Sequence, residues 1–176
     1  MTLGKKILGF TAGILLSMSA MAETIAVVNI QQIVAQLPQT QAMMQTLNNV
    51  KVENAFEHFI PNAHSIAEIA LHLTSWTEEV TSRLMQNVAS EPVRGDWPTP
   101  ESKTPQAWEK IIFDFKVANE ELIRHSIEIK DNQWDDKIIG EINPALESGL
   151  TYAELLNGLA QHHAYHSGQI ALLSKF

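Results

Sequence analysis

The chain has 176 residues, enough for one domain with a buried core. Its formal charge of −8 leaves no basic stripe to neutralise phosphates, which argues against a nucleic-acid partner. It has no cysteine, so disulfides, zinc–thiolate sites and a protein thiol nucleophile are excluded.

The first 22 residues read as an export signal rather than as fold. Lys5 and Lys6 precede an apolar run from Ile7 to Ala20, and Ala20-Met21-Ala22 fits a small-x-small cleavage site. That run is shorter than the roughly 20 residues a transmembrane helix needs, which speaks against an uncleaved anchor. Cleavage before Glu23 would release a periplasmic or otherwise exported chain with no membrane span, more acidic still for losing both lysines.

Thr24 to Ile30 is β-branched and apolar, a candidate for a short strand. Residues 30–50 then carry Ile33, Val34, Leu37, Met43, Met44, Leu47 and Val50, an amphipathic helix interrupted or restarted at Pro38. Residues 51–63 form a connector anchored by Phe56 and Phe59. From Ala63 to about Val88, Ile66, Ile69, Leu73, Trp76, Val80 and Leu84 recur at threes and fours and predict a helix. Ser90 to Pro105 contains four of the seven prolines and Gly95, so it is a loop. Thr104-Pro105 reads as a cap with proline at the first helical position. The helix that follows turns Trp108, Ile111, Ile112, Phe115, Ala118, Leu122 and Ile123 toward a core. Residues 131–149 are a polar connector with Trp134 and Ile138, and Thr151 with Glu154 makes a capping box for a last helix running to Phe176. Three clear helices and a less certain first one give an all-α fold, a four-helix bundle with a short N-terminal strand as an optional addition.

The chemistry concentrates in the last helix. His162 and His166 are four residues apart and project from one face, and Gln169 stays near it. Two such imidazoles make half of a first-row metal site. His72, among Ile69, Leu73 and Trp76, can supply a third from a facing helix, leaving positions open for water or substrate. The competing reading is that these are packing or surface histidines, as is expected of His58, His64, His125 and His163. His163 lies about 100° around the helix from His162 and does not share its face. Glu68, four before His72, is either a carboxylate serving the site or a solvated helix residue, and Tyr165 has packing as its default role.

The stretch from His64 to Trp76 (HSIAEIALHLTSW) and that from His162 to Ile170 (HHAYHSGQI), in this order, resemble the DinB-like superfamily of helical bundles over about residues 51–176, with the Trp97-Pro98 loop and Trp108 included. The resemblance implies a divalent metal ion, zinc, nickel or similar, held by three histidines, which fall here on His72, His162 and His166. It also implies a small-molecule substrate, since characterised members include transferases and isomerases that use low-molecular-weight thiols such as bacillithiol or mycothiol. A metal-dependent transferase or hydrolase is the activity expected on that basis.

Two departures accompany the resemblance. The family's own first helix is not recognisable. Residues 1–37 resemble instead the signal peptide and first strand of Skp/OmpH-type periplasmic chaperones, through Ala22-Glu23-Thr24-Ile25-Ala26-Val27-Val28-Asn29. On this reading residues 23–50 are an N-terminal segment with a substitute first helix, joined to a bundle at 51–176. A bundle lacking that helix would expose a groove and favour a homodimer. A chaperone-like or binding protein, and an inactive fusion, are the alternatives in function.

Overall fold

The computed structural model describes residues 37–143, 145, 146 and 148–176. The expected signal peptide and the strand at Thr24–Ile30 lie outside the described residues. Among these residues there are five helices and no strand: α1 (Leu37–Asn49), the single-turn α2 (Val52–Ala55), α3 (Ile66–Leu84), α4 (Pro105–Ser126) and α5 (Tyr152–Leu173). The four long helices form an all-α bundle. None of the described helices is long and apolar enough to cross a membrane.

The helix starts follow from local chemistry. Ser65 caps α3 by accepting from the Glu68 N–H, while Glu68 returns a carboxylate to the Ser65 N–H, a capping box. Thr104 accepts from the Ala107 N–H ahead of Pro105, and Thr151 and Glu154 repeat the box at the head of α5. These caps satisfy backbone donors that have no partner inside the helix.

The bundle has two apolar cores separated by a polar waist. One core gathers Phe56, Ile66, Ile69, Leu73, Trp108, Phe115 and Ile170. Helix α1 belongs to it: Met43 and Leu47 are buried there, and α1 packs against α5 and α4. The groove that three helices would leave open is therefore occupied. The second core, at the other end of α3, holds Val80, Leu84, Trp134, Ile138, Leu155, Leu156 and Leu159. Between them α3 places His72, Thr74, Ser75 and Thr77, and α5 places His162, His163 and His166. Thr74 and Thr77 return their hydroxyls to the carbonyls four residues back, at 2.8 and 2.7 Å, so buried hydroxyls in the waist are satisfied within the helix.

The connector after α4 is pinned by charge as well as by Trp134 and Ile138. Arg83 donates to Glu79 at 2.8 Å and to Glu141 at 3.1 Å, and all three are buried. Glu141 also accepts from the Gly149 and Leu150 N–H groups, at 3.0 and 2.9 Å. This network fixes the chain just before it enters α5, and thereby the height at which the α5 histidines meet α3.

Candidate metal centre

His72, His162 and His166 each turn a ring nitrogen to one point in the waist, all within 4.8 Å of one another. They come from the middle of α3 and the second half of α5, which face each other across the bundle. The closest pair is His72 Nε2 and His162 Nε2, at 2.8 Å. No other group of three or more His, Cys, Asp or Glu among the described residues converges in this way.

Hydrogen bonds behind the rings decide which nitrogen faces inward. His72 Nδ1 lies 2.6 Å from the Asp96 carbonyl oxygen, which can only accept, so Nδ1 carries the hydrogen and Nε2 holds a free lone pair. His166 Nδ1 donates to Gln169 Oε1 at 2.6 Å, which again leaves Nε2 free. Gln169 in turn donates to the Tyr165 hydroxyl at 3.1 Å. Such outer partners orient the rings of metal-binding histidines and set their tautomers.

The two rings from α5 are also held neutral. Burial, then the neighbouring His166 and His72, push His162 down to about 4. His166 is likewise lowered, by burial first, with the Gln169 bond pulling the other way. Neutral imidazole is the form that binds a metal ion. With the His72 Nε2 lone pair facing inward, either a proton on His162 Nε2 or a cation bridges the 2.8 Å between the two nitrogens. The residues present fit a first-row divalent ion, whose imidazole ligands lie about 2.0–2.1 Å from the metal.

A strap from the Pro-rich loop closes the site on the α3 side. Arg94 pairs with Glu78 through two 2.8 Å bonds and with Asp114 at 3.0 Å, tying the loop to α3 and α4. Gly95 takes φ +86°, a region that favours glycine, and its carbonyl accepts from the Ser75 hydroxyl at 2.6 Å. Asp96 follows, its carboxylate accepting from Trp76 Nε1 at 2.7 Å and lying 3.2 Å from His72 Nδ1. Trp97 then stacks between two imidazoles, 3.8 Å from His72 and 3.6 Å from His64 by ring centroids.

The other histidines and candidate residues sit elsewhere. His163 points away from the trio and is buried, its Nε2 2.9 Å from the Thr77 hydroxyl, and burial pushes its pKa down to about 3. Since Thr77 gives its own hydrogen to Leu73, His163 Nε2–H is the donor. Glu68 is a capping carboxylate that also accepts from His58 at 2.9 Å. Burial would raise its pKa, but the Ser65 donors and His58 hold it below the usual range. His125, in the last turn of α4, stands beside Glu121 and, just past the helix end, Glu128, away from the trio. Tyr165 is exposed, so packing is not its role; with Gln169 and His166 it lines a cleft. Asp96 and Trp97 are the residues that motif spacing does not reveal, because a loop has no periodicity to read.

No curated protein and no solved structure matches the chain. The model of the DinB superfamily matches residues 36–170, a span that takes in the whole of α1, all three histidines and the strap between them, so the first bundle helix lies inside the family match, not ahead of a bundle beginning at residue 51. A four-helix bundle with histidines converging from its second and last long helices, matched over most of its length, is thus a member of the DinB superfamily.

Proposed function

We propose that His72, His162 and His166 hold a divalent ion, zinc, nickel or similar, and that the protein is a metal-dependent transferase or hydrolase acting on a small molecule. The observation that carries this reading is the convergence of three imidazole nitrogens within 4.8 Å. Three neutral ligands leave at least one position for a reactant, the arrangement of a catalytic rather than a structural ion. A bound ion would supply Lewis acidity, making a thiol or a water molecule more acidic. The chain's own part is to hold His162 and His166 neutral by burial and to fix the tautomers of His72 and His166 through the Asp96 carbonyl and Gln169. The strap and Trp97 cover one side of the trio, so a reactant would enter from the His166 side.

Export belongs to the same reading. Lys5, Lys6 and the Ala20-Met21-Ala22 site support removal of residues 1–22 and a periplasmic location. An oxidising compartment disfavours free low-molecular-weight thiols as co-substrates and so favours water as the nucleophile.

Elemental analysis of the untagged protein, beside the His162→Ala/His166→Ala double variant, tests the site. Close to one equivalent of metal in the parent and none in the variant is the expected result. Metal retained by the double variant would place the ion elsewhere, and no metal in the parent after incubation with zinc or nickel would end the enzyme reading.

A further inference from the structure

A cleft of about 500 Å³ lies beside the trio and reaches it at His166. Its walls come from the connector before α3, from the strap and from the last turns of α5. Ile60, Ile69 and Leu172 supply apolar surface, and Trp97 and Tyr165 supply aromatic faces. The polar groups are few: His64, and at one end His166 and Gln169, the trio's own residue and its hydrogen-bond partner. No lysine, arginine, aspartate or glutamate lines it among the described residues.

That charge pattern is unusual for this molecule, whose surface is acidic overall. In the metal-free protein an anion in the cleft would find no lysine or arginine, and a cation would find no carboxylate. Either would lose hydration without gaining a partner. A volume of this size, mostly apolar with a few polar groups gathered at one end, suits a molecule of one to three rings.

We infer that this cleft is the substrate pocket of the metal site and takes an uncharged, largely apolar ring compound whose single polar end meets the Gln169 amide beside His166. As a substrate pocket it rests on the metal-dependent reading above. As a binding cleft it does not need the ion, because none of its apolar walls depends on one.

The test is calorimetric titration of the full chain with three probes of similar shape: 2-naphthol, 2-naphthalenesulfonate and 2-naphthylmethylammonium. Each is run on zinc-loaded and on chelator-treated protein at physiological salt. Naphthol is expected to bind about tenfold more tightly than either ion. The cation arm matters because the acidic surface alone would favour it over the neutral probe. Leu172→Arg puts a charge on the wall from a largely exposed position, and should weaken naphthol while improving the sulfonate. Ile60→Arg does the same from the opposite wall, so a folding defect in one variant leaves the other to decide.

Equal or tighter binding of either charged probe by the chelator-treated parent overturns the inference. So does a naphthol signal that neither arginine variant changes. Naphthol binding without any zinc uptake would remove the metal reading while leaving the cleft, and stoichiometric zinc without naphthol binding would do the reverse.

Discussion

Replacing Gln169 by leucine should weaken zinc binding by about 10- to 100-fold. The figure comes from one bond. His166 Nδ1–H is 2.6 Å from Gln169 Oε1 and has no other partner among the described residues, and the ring is buried. Leaving a buried donor unpaired costs about 1–3 kcal/mol, and about 1.4 kcal/mol is a factor of ten in affinity. The tautomer with hydrogen on Nδ1 would lose its advantage, and with it the lone pair on Nε2. Gln169→Glu keeps an acceptor in place and should bind zinc at least as well as the parent. Asp96→Ala provides the internal contrast, since His72 is held first by the Asp96 main-chain carbonyl, which the substitution retains. Its effect should be only about threefold, the value of an exposed carboxylate 3.2 Å away. Affinities are measured by competition with a chromophoric zinc chelator near neutral pH, with melting curves of the metal-free variants to show that each is folded. Gln169→Leu binding zinc as the parent does, or Asp96→Ala proving the more damaging, would refute the idea that these bonds set the inward nitrogens.

Arg83→Met should destabilise the fold by about 3–5 kcal/mol in urea denaturation, because Glu79 and Glu141 would be left buried without their cation; a loss below about 1 kcal/mol would show that the carboxylates find other partners. Gly140→Ala should lower the melting temperature, since a Cβ there would lie 1.9 Å from the Gln86 carbonyl oxygen and only main-chain movement relieves it; an unchanged melting temperature would contradict the packing of the connector on the end of α3. In chelator-treated protein, stability should fall as pH drops from about 6.5 toward 3, because unfolded His163 takes up a proton near its ordinary value while the buried ring does so only at about 3. The slope from His163 alone approaches about 1.4 kcal/mol per pH unit, and His162, held at about 4 but partly exposed, adds less. A melting temperature flat between pH 7 and 5 would mean that His163 is not buried neutral.

What was legible in the sequence was whatever repeats or caps. Ile66, Ile69, Leu73, Val80 and Leu84 are buried on α3 as their spacing requires, although Trp76 of the same series is only half-buried because its ring nitrogen reaches out to Asp96. Thr104-Pro105 and Thr151 with Glu154 start their helices where the side-chain chemistry says they should. Helix spacing put His162 and His166 on one face and left His72 a candidate beside the packing alternative, and it was the family resemblance that joined the three. The segment 131–149 was harder, because its polar composition hides an arrangement in which Trp134, Ile138 and Glu141 are buried and only tertiary pairing with Arg83 makes the last of these tolerable. The strap was illegible for a different reason: Asp96 serves His72 with its carbonyl, and a main-chain atom leaves no mark in the residue type.

The trio joins positions far apart along the chain, His72 and His162 being 90 residues from one another. In a protein without cysteine, an ion held there would be a removable cross-link enclosing the strap, all of α4 and the connector. Closing a loop of that length in an unfolded chain removes about 4–5 kcal/mol of its conformational freedom, as much as a long-range disulfide would. The metal would then act as a clasp whose release is governed by chelators and acid rather than by reductants, giving the chain a covalent-like fastening that an oxidising or reducing environment leaves untouched.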